Sequence, residues 1–151
     1  MPLLLRHWKE IALNKDAIPL DPNWEAYEKL EEIGALHITT GRSPEGELVG
    51  YSSYIIGPNL HYRSLMVADG DIFYLAAEYR QGTTGLRLLR ESERLVRAFC
   101  AAKPGPHTHI YLVNKEKTHF VKNGKPRVGP VLARLGFRHI ENHHAKLVEI
   151  R

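Results

Sequence analysis

Residues 71–100 run DIFYLAAEYRQGTTGLRLLRESERLVRAFC: an unbroken apolar stretch, a glycine-bearing turn, then an amphipathic helical pattern. The apolar stretch, Ile72-Phe73-Tyr74-Leu75, suits a strand covered on both faces. In the helix, Leu88, Leu95, Val96 and Phe99 share one face, with Leu86 and Leu89 flanking it. Arg87, Arg90, Glu91, Glu93, Arg94 and Arg97 take the other.

Strand, turn, helix is the geometry of an anion site. The first amides of a helix have no internal partner and carry the positive end of its dipole. Gly82 and Gly85 let the backbone bend and a ligand come close. Arg80 offers a full positive charge. A phosphate or pyrophosphate is the fitting guest; the plain alternative is a βα turn that binds nothing.

Leu75-Ala76-Ala77-Glu78-Tyr79-Arg80-Gln81-Gly82-Thr83-Thr84-Gly85 resembles the coenzyme A-binding motif of the GNAT superfamily of N-acyltransferases. That motif has Arg or Gln, two residues, Gly, one residue, then Gly or Ala, ahead of a helix. Arg80 and Gly85 match its ends; Thr83 stands at the middle glycine, and Gly82 lies one residue early. Downstream, Val131-Leu132-Ala133-Arg134-Leu135-Gly136-Phe137 is similar to the close of the family's last helix. The resemblance covers roughly residues 34–150. It implies a mixed α/β fold: a central mixed sheet with antiparallel N-terminal strands and a parallel, splayed pair, with helices on both faces. It also implies acetyl-coenzyme A as cosubstrate, an amine acceptor that is a small molecule or a protein, and often a homodimer.

Composition sets looser bounds. At 151 residues, one domain spanning 1–151 is expected. The formal charge is +4 and the pI near 9.2, with Lys and Arg scattered, so no nucleic-acid patch is indicated. A mildly basic surface suits a polyanionic cofactor. One cysteine, Cys100, excludes an internal disulfide and agrees with a reducing cytoplasm. The start, MPLLLR, is too soon charged for a signal peptide, and no run reaches membrane-spanning length.

In chain order, residues 3–14 read as a first helix. Asp21-Pro22 reads as the N-cap and first position of a second, with Trp24, Tyr27, Leu30 and Ile33 turned inward and Gly34 ending it. Residues 36–40 and 48–56 form an antiparallel hairpin, and residues 62–67 a third strand. Asp69-Gly70 is a hairpin-turn dipeptide ahead of the central strand. Residues 109–113 make a second buried strand, parallel to the first through a right-handed crossover. The lysine-rich residues 114–128 read as a mobile loop. A short helix from Pro130 to Leu135, and a last strand or strand pair in 137–150, complete the chain.

By the resemblance, the amides of Leu75 and Ala77 would hold the pantetheine. Those of Gln81, Gly82, Thr83, Thr84, Gly85 and Leu86 would hold the pyrophosphate, with Arg80 beside them. Acyl transfer to an ammonium also needs a base. By strand alternation Asp69 and Asp71 share a side with Phe73 and Leu75. Asp71 is preferred, since burial would raise its pKa; both as turn residues is the bland reading, and Glu78 is a third candidate. Leu132 stands where many members carry the tyrosine that reprotonates the thiolate, leaving Tyr111 or His119 to serve, or no acid at all. Lys125 stands at the pantetheine-binding asparagine, for which Asn114 or Asn123 could substitute. Nine histidines show no metal spacing, so no metal is expected, and Cys100 reads as core. Two other readings remain: a non-catalytic acyl-coenzyme A-binding module within a larger assembly, and, weakest, a nucleic-acid binder.

Overall fold

The computed structural model describes residues 2–116, 121–122, 125–126, 128–140, 145 and 147–148. They fall into two compact units, Met1–Lys115 and Glu116–Arg151. The first begins with helix α1 (Pro2–Ile11) and α2 (Trp24–Glu32). Strands β1 (Leu36–Arg42), β2 (Leu48–Pro58) and β3 (Leu65–Leu75) follow. A 3₁₀ turn (Ala77–Tyr79), α3 (Thr84–Ala101) and β4 (His109–Val113) close the unit.

The strand order is β1-β2-β3-β4, with antiparallel pairs up to β3 and a parallel β3–β4 pair. Asp69-Gly70 is not a hairpin turn. Both residues lie inside one continuous strand, β3, which absorbs the separate third and central strands expected. Local turn preference yields here to pairing on both sides. A Cβ on Gly70 would sit 2.7 Å from Val113 O, so this glycine admits β4 rather than a turn.

Between Gly70 and Ile72 the register with β2 slips: Tyr54 faces Gly70, Ser53 faces Ile72, and Asp71 is left without an opposite residue. This bulge changes which side chains face which way. Before it, Met66 and Ala68 pack with Val96 and Cys100 of α3. After it, Phe73 and Leu75 come within 3.9 Å of a Cβ built on Gly85 of α3, while Tyr74 and Ala76 pack with Leu3 of α1. Helices thus cover both faces. Asp69 alternates with Ala68 and faces away from α3, so it does not share a side with Phe73 and Leu75.

The buried stripe of α3 runs through Leu88, Leu89, Ser92, Val96 and Cys100, centred on a serine that hydropathy alone passes over. Ser92 satisfies its hydroxyl on Leu88 O at 2.8 Å. Cys100 is a core residue whose thiol burial pushes up. The cap of α2 is Asn23, whose Oδ1 accepts from Ala26 N, rather than Asp21. None of its residues is buried; Trp24 is 47% and Ile33 72% exposed, so the inward face expected for it is half open. Gly34 closes it at φ +64, with Ala35 N donating to Leu30 O and Gly34 N to Glu31 O.

In the second unit, Val121–Lys122 and Lys125–Pro126 pair antiparallel, where a loop was expected. Helix α4 (Gly129–Arg134) begins on Glu116, whose Oε1 accepts from Val128 N and Gly129 N at 3.0 and 2.6 Å. Gly136 ends it at φ +84. Residues 137–140 form no strand; most of the last strand expected, with His119 and Asn123, lies outside the described residues.

Candidate functional site

The turn between β3 and α3 leaves its donors without firm partners. The first α3 amide bonded backward from outside the helix is Arg87 N, on Thr83 O. Among the described residues no hydrogen bond of good geometry runs from the amides of Gln81, Gly82, Thr83, Thr84, Gly85 or Leu86 to a protein oxygen, though the turn at Gly82 and Thr83 draws one of the last three weakly toward Gln81 O. Thr83, the residue before the helix, gives no side-chain cap. Six consecutive residues without a firmly bonded amide therefore lead into the N-terminal end of an eighteen-residue helix. Gly82 takes φ +62 and Thr83 φ −107. The left-handed residue is thus the one that is glycine, and threonine at the next position is unstrained. Turned backbone of this kind gathers amides around an anion.

Arg80 is placed differently from its free charge in the sequence. Its Nε donates to Leu75 O at 2.6 Å, and its Nη1 and Nη2 to the Glu10 carboxylate of α1 at 2.5 and 2.6 Å. Its guanidinium also lies 5.3 Å over the Tyr74 ring. The bond with Glu10, first among the causes, holds Arg80 in its charged form. Arg80 braces the corner; the positive potential for an anion comes from the amides. Glu78, the third carboxylate candidate, is held down to about 2 by its bond with Arg6. Ala77 opens the 3₁₀ turn and is no longer extended strand.

The middle of β3 holds the carboxylates. Pairing with β4 runs from Leu65↔His109 to Asp69↔Val113 and then stops, although β3 continues to Leu75. Beyond Asp69 its β4-side edge pairs with nothing among the described residues. Ala76 N donates to Val49 O, so by alternation Leu75 turns its N–H toward that edge. Asp69 is the last residue before the strands part. Its Oδ2 accepts from Lys115 Nζ at 2.8 Å, and its Oδ1 is buried with no partner among the described residues. Asn114 lies just past Val113, its Oδ1 bonded by the Tyr54 hydroxyl at 2.9 Å and its Nδ2 buried without a partner among the described residues. Asp71 is exposed in the bulge, so the burial that favoured it over Asp69 is not there. It adds to the upward shift that burial gives Tyr27 of α2.

Sequence reasoning missed a cluster under α1. His7 Nδ1 and the Tyr51 hydroxyl are 2.6 Å apart, and the His7 ring stacks on Tyr74 at 4.6 Å. The Tyr74 hydroxyl donates to Glu10 Oε2 at 3.1 Å. Burial, ahead of the neighbouring phenols, pushes the Tyr51 hydroxyl well above its usual range. A histidine on the inner face of an amphipathic first helix was the available signal. Tyr111 is 45% exposed on β4, and Leu132 is buried in α4. Among the described residues no three of His, Cys, Asp or Glu gather around a common point, and no helix is long and apolar enough to cross a membrane.

No protein-family model matches the sequence, and no curated protein matches it. Solved structures do. An acetyltransferase of Trypanosoma brucei aligns over 97% of this chain and 94% of its own, at TM-score 0.61 and 17% identity. An aminoglycoside acetyltransferase from an uncultured soil metagenomic sample, crystallised with sisomicin, aligns over 98% and 85%, at TM-score 0.61 and 9% identity. A ribosomal-protein-alanine N-acetyltransferase from Brucella melitensis aligns over 99% and 89%, at TM-score 0.55 and 14% identity. With its antiparallel strands, its parallel pair that parts after Asp69 and helices on both faces, the chain has the fold of the GNAT acetyltransferases.

Proposed function

We propose that the protein is an N-acetyltransferase that moves an acetyl group from acetyl-coenzyme A to a primary amine within a ternary complex. The observation that carries this reading is the row of amides from Gln81 to Leu86 without a firm protein bond, at the end of a strand edge that pairs with nothing among the described residues. The amides would take the pyrophosphate, and the pantetheine would lie along β3 past the Leu75 N–H. Asn114 Nδ2, without a partner among the described residues, would donate to one of its carbonyls. From Leu75 back to Asp69 the strand spans about 20 Å. A thioester carried that far arrives where β3 and β4 part.

There Asp69 is the base we favour. It faces away from α3, and its buried Oδ1 has no donor among the described residues. It would take a proton from the acceptor ammonium, and the amine would then attack the thioester carbonyl. Much of the rate would come from holding the two reactants together. The acceptor, small molecule or protein, would enter on the face that carries Asp69, Asp71 and Tyr27. A lone buried cysteine suits a reducing cytoplasm.

Acetyl-coenzyme A at a hundred times its Kd should stabilise the protein by about 2.7 kcal/mol in thermal unfolding. An amine panel should then release free thiol. No stabilisation overturns the proposal. Leu132, buried and unable to donate a proton, favours a second reading in which the protein binds acyl-coenzyme A without transfer. Tight binding with no thiol release for any amine would select it.

A further inference from the structure

We infer that Lys115 is an acceptor built into the protein, acetylated by the cofactor bound in its own site. The inference rests on the acetyltransferase reading. Lys115 stands two residues beyond Val113, where the β3–β4 ladder ends. Its Nζ lies 2.8 Å from Asp69 Oδ2, across 46 residues of chain. The ammonium group is therefore already where an acceptor ammonium would have to sit to reach this base.

Two observations separate this pair from a casual surface ion pair. The chain leading into Lys115 is held, because the Tyr54 hydroxyl bonds Asn114 Oδ1 at 2.9 Å and Asn114 packs beside Gly70. Asp69, for its part, is anchored in paired strand, with its other oxygen buried and unsatisfied among the described residues. The amine is thus fixed at both ends, against a base that retains accepting capacity. The Lys115 side chain is 41% exposed, which leaves it within reach of an acyl group.

The chemistry balances without an added reagent. The Lys115 ammonium gives one proton to Asp69. The free amine lone pair forms the N–C bond at the thioester carbonyl. The tetrahedral intermediate collapses, and the C–S bond breaks with its electron pair on sulfur. The second amine proton goes to the thiolate, and Asp69 returns its proton to solvent. The products are Nε-acetyl-lysine, free coenzyme A and one proton. Acetylation removes the positive charge that holds Asp69. The carboxylate is then released for an external amine.

The test uses the full chain with acetyl-coenzyme A, followed by intact mass and peptide mapping, with thermal shift read in parallel. One acetyl group per chain is expected, on Lys115, at a rate independent of protein concentration. Lys115→Arg should abolish it while keeping the ion pair. Asp69→Asn should slow it by on the order of a hundredfold, and Gly85→Glu should prevent it by excluding the cofactor. Stabilisation by acetyl-coenzyme A with no acetyl on Lys115 overturns the inference and leaves the acetyltransferase reading standing. So does acetylation spread over many lysines and unchanged in Gly85→Glu. No stabilisation and no acetylation removes both.

Discussion

Glu78 and Arg6 bind each other through two hydrogen bonds of 2.9 and 2.6 Å, tying α1 to the turn after β3. The Glu78 carboxyl is held from an ordinary value of 4.5 down to about 2. A depressed carboxylate stabilises the fold above its unfolded value, and that contribution fades as pH falls through the folded one. The tie should therefore weaken between pH 4.5 and about 2. Near-ultraviolet circular dichroism of the tyrosines under α1 should report it, and Glu78→Gln should remove that part of the acid transition. At the turn itself, Gly85→Glu has space for its Cβ, which meets only ordinary contacts with Leu75 and Phe73 at 3.9 Å. It should melt close to wild type and lose its stabilisation by acetyl-coenzyme A, as a carboxylate among those amides repels the diphosphate. Failure to melt near wild type would make the substitution structural. The turn ahead of α3 was legible because glycines and a helix start leave a local trace. The partner of Arg80 was not, because Glu10 lies 70 residues away and reaches it only through the fold.

Strand β3 shows the same limit at the scale of an element. Asp69-Gly70 carries a turn signal, and in isolation that signal favours a hairpin. Tertiary pairing overrides it: Gly70 faces Tyr54 on β2, and on its other side β4 comes close enough that Val113 O would contact any Cβ. Gly70→Ala should therefore cost about 1–3 kcal/mol in urea unfolding through overpacking. It should also disturb the Asn114 and Lys115 positions. A loss below a few tenths of a kcal/mol, the ordinary effect of a surface change, would show that β4 yields there freely. The parallel β3–β4 pair was legible, because a strand, a long amphipathic helix and a second apolar strand permit little else. The bulge was not, since nothing in Ala68-Asp69-Gly70-Asp71 announces an extra residue.

For the whole molecule, the order of elements through β4 was readable from apolar periodicity and breakers, apart from the fusion of two expected strands into β3. Both buried clusters, around Val96 and around Leu3, lie within Met1–Lys115, as does all of the four-stranded sheet. A chain ended after Lys115 should thus still unfold cooperatively and keep its strand and helix signals in far-ultraviolet circular dichroism. Broad, non-cooperative melting would show that the remaining residues are needed for the first unit's order.

The unpaired residue in β3 fixes a count rather than an identity. With Asp71 present, Ala68 and Leu75 serve the same helix although seven positions apart, an odd step that a regular strand forbids. Shortening the chain there by one amino acid would swing Phe73 and Leu75 round to α1 and drive the Tyr74 ring against α3. Exchanging Asp71 for another amino acid would leave that arrangement alone. Position 71 can change its chemistry, but it cannot be skipped.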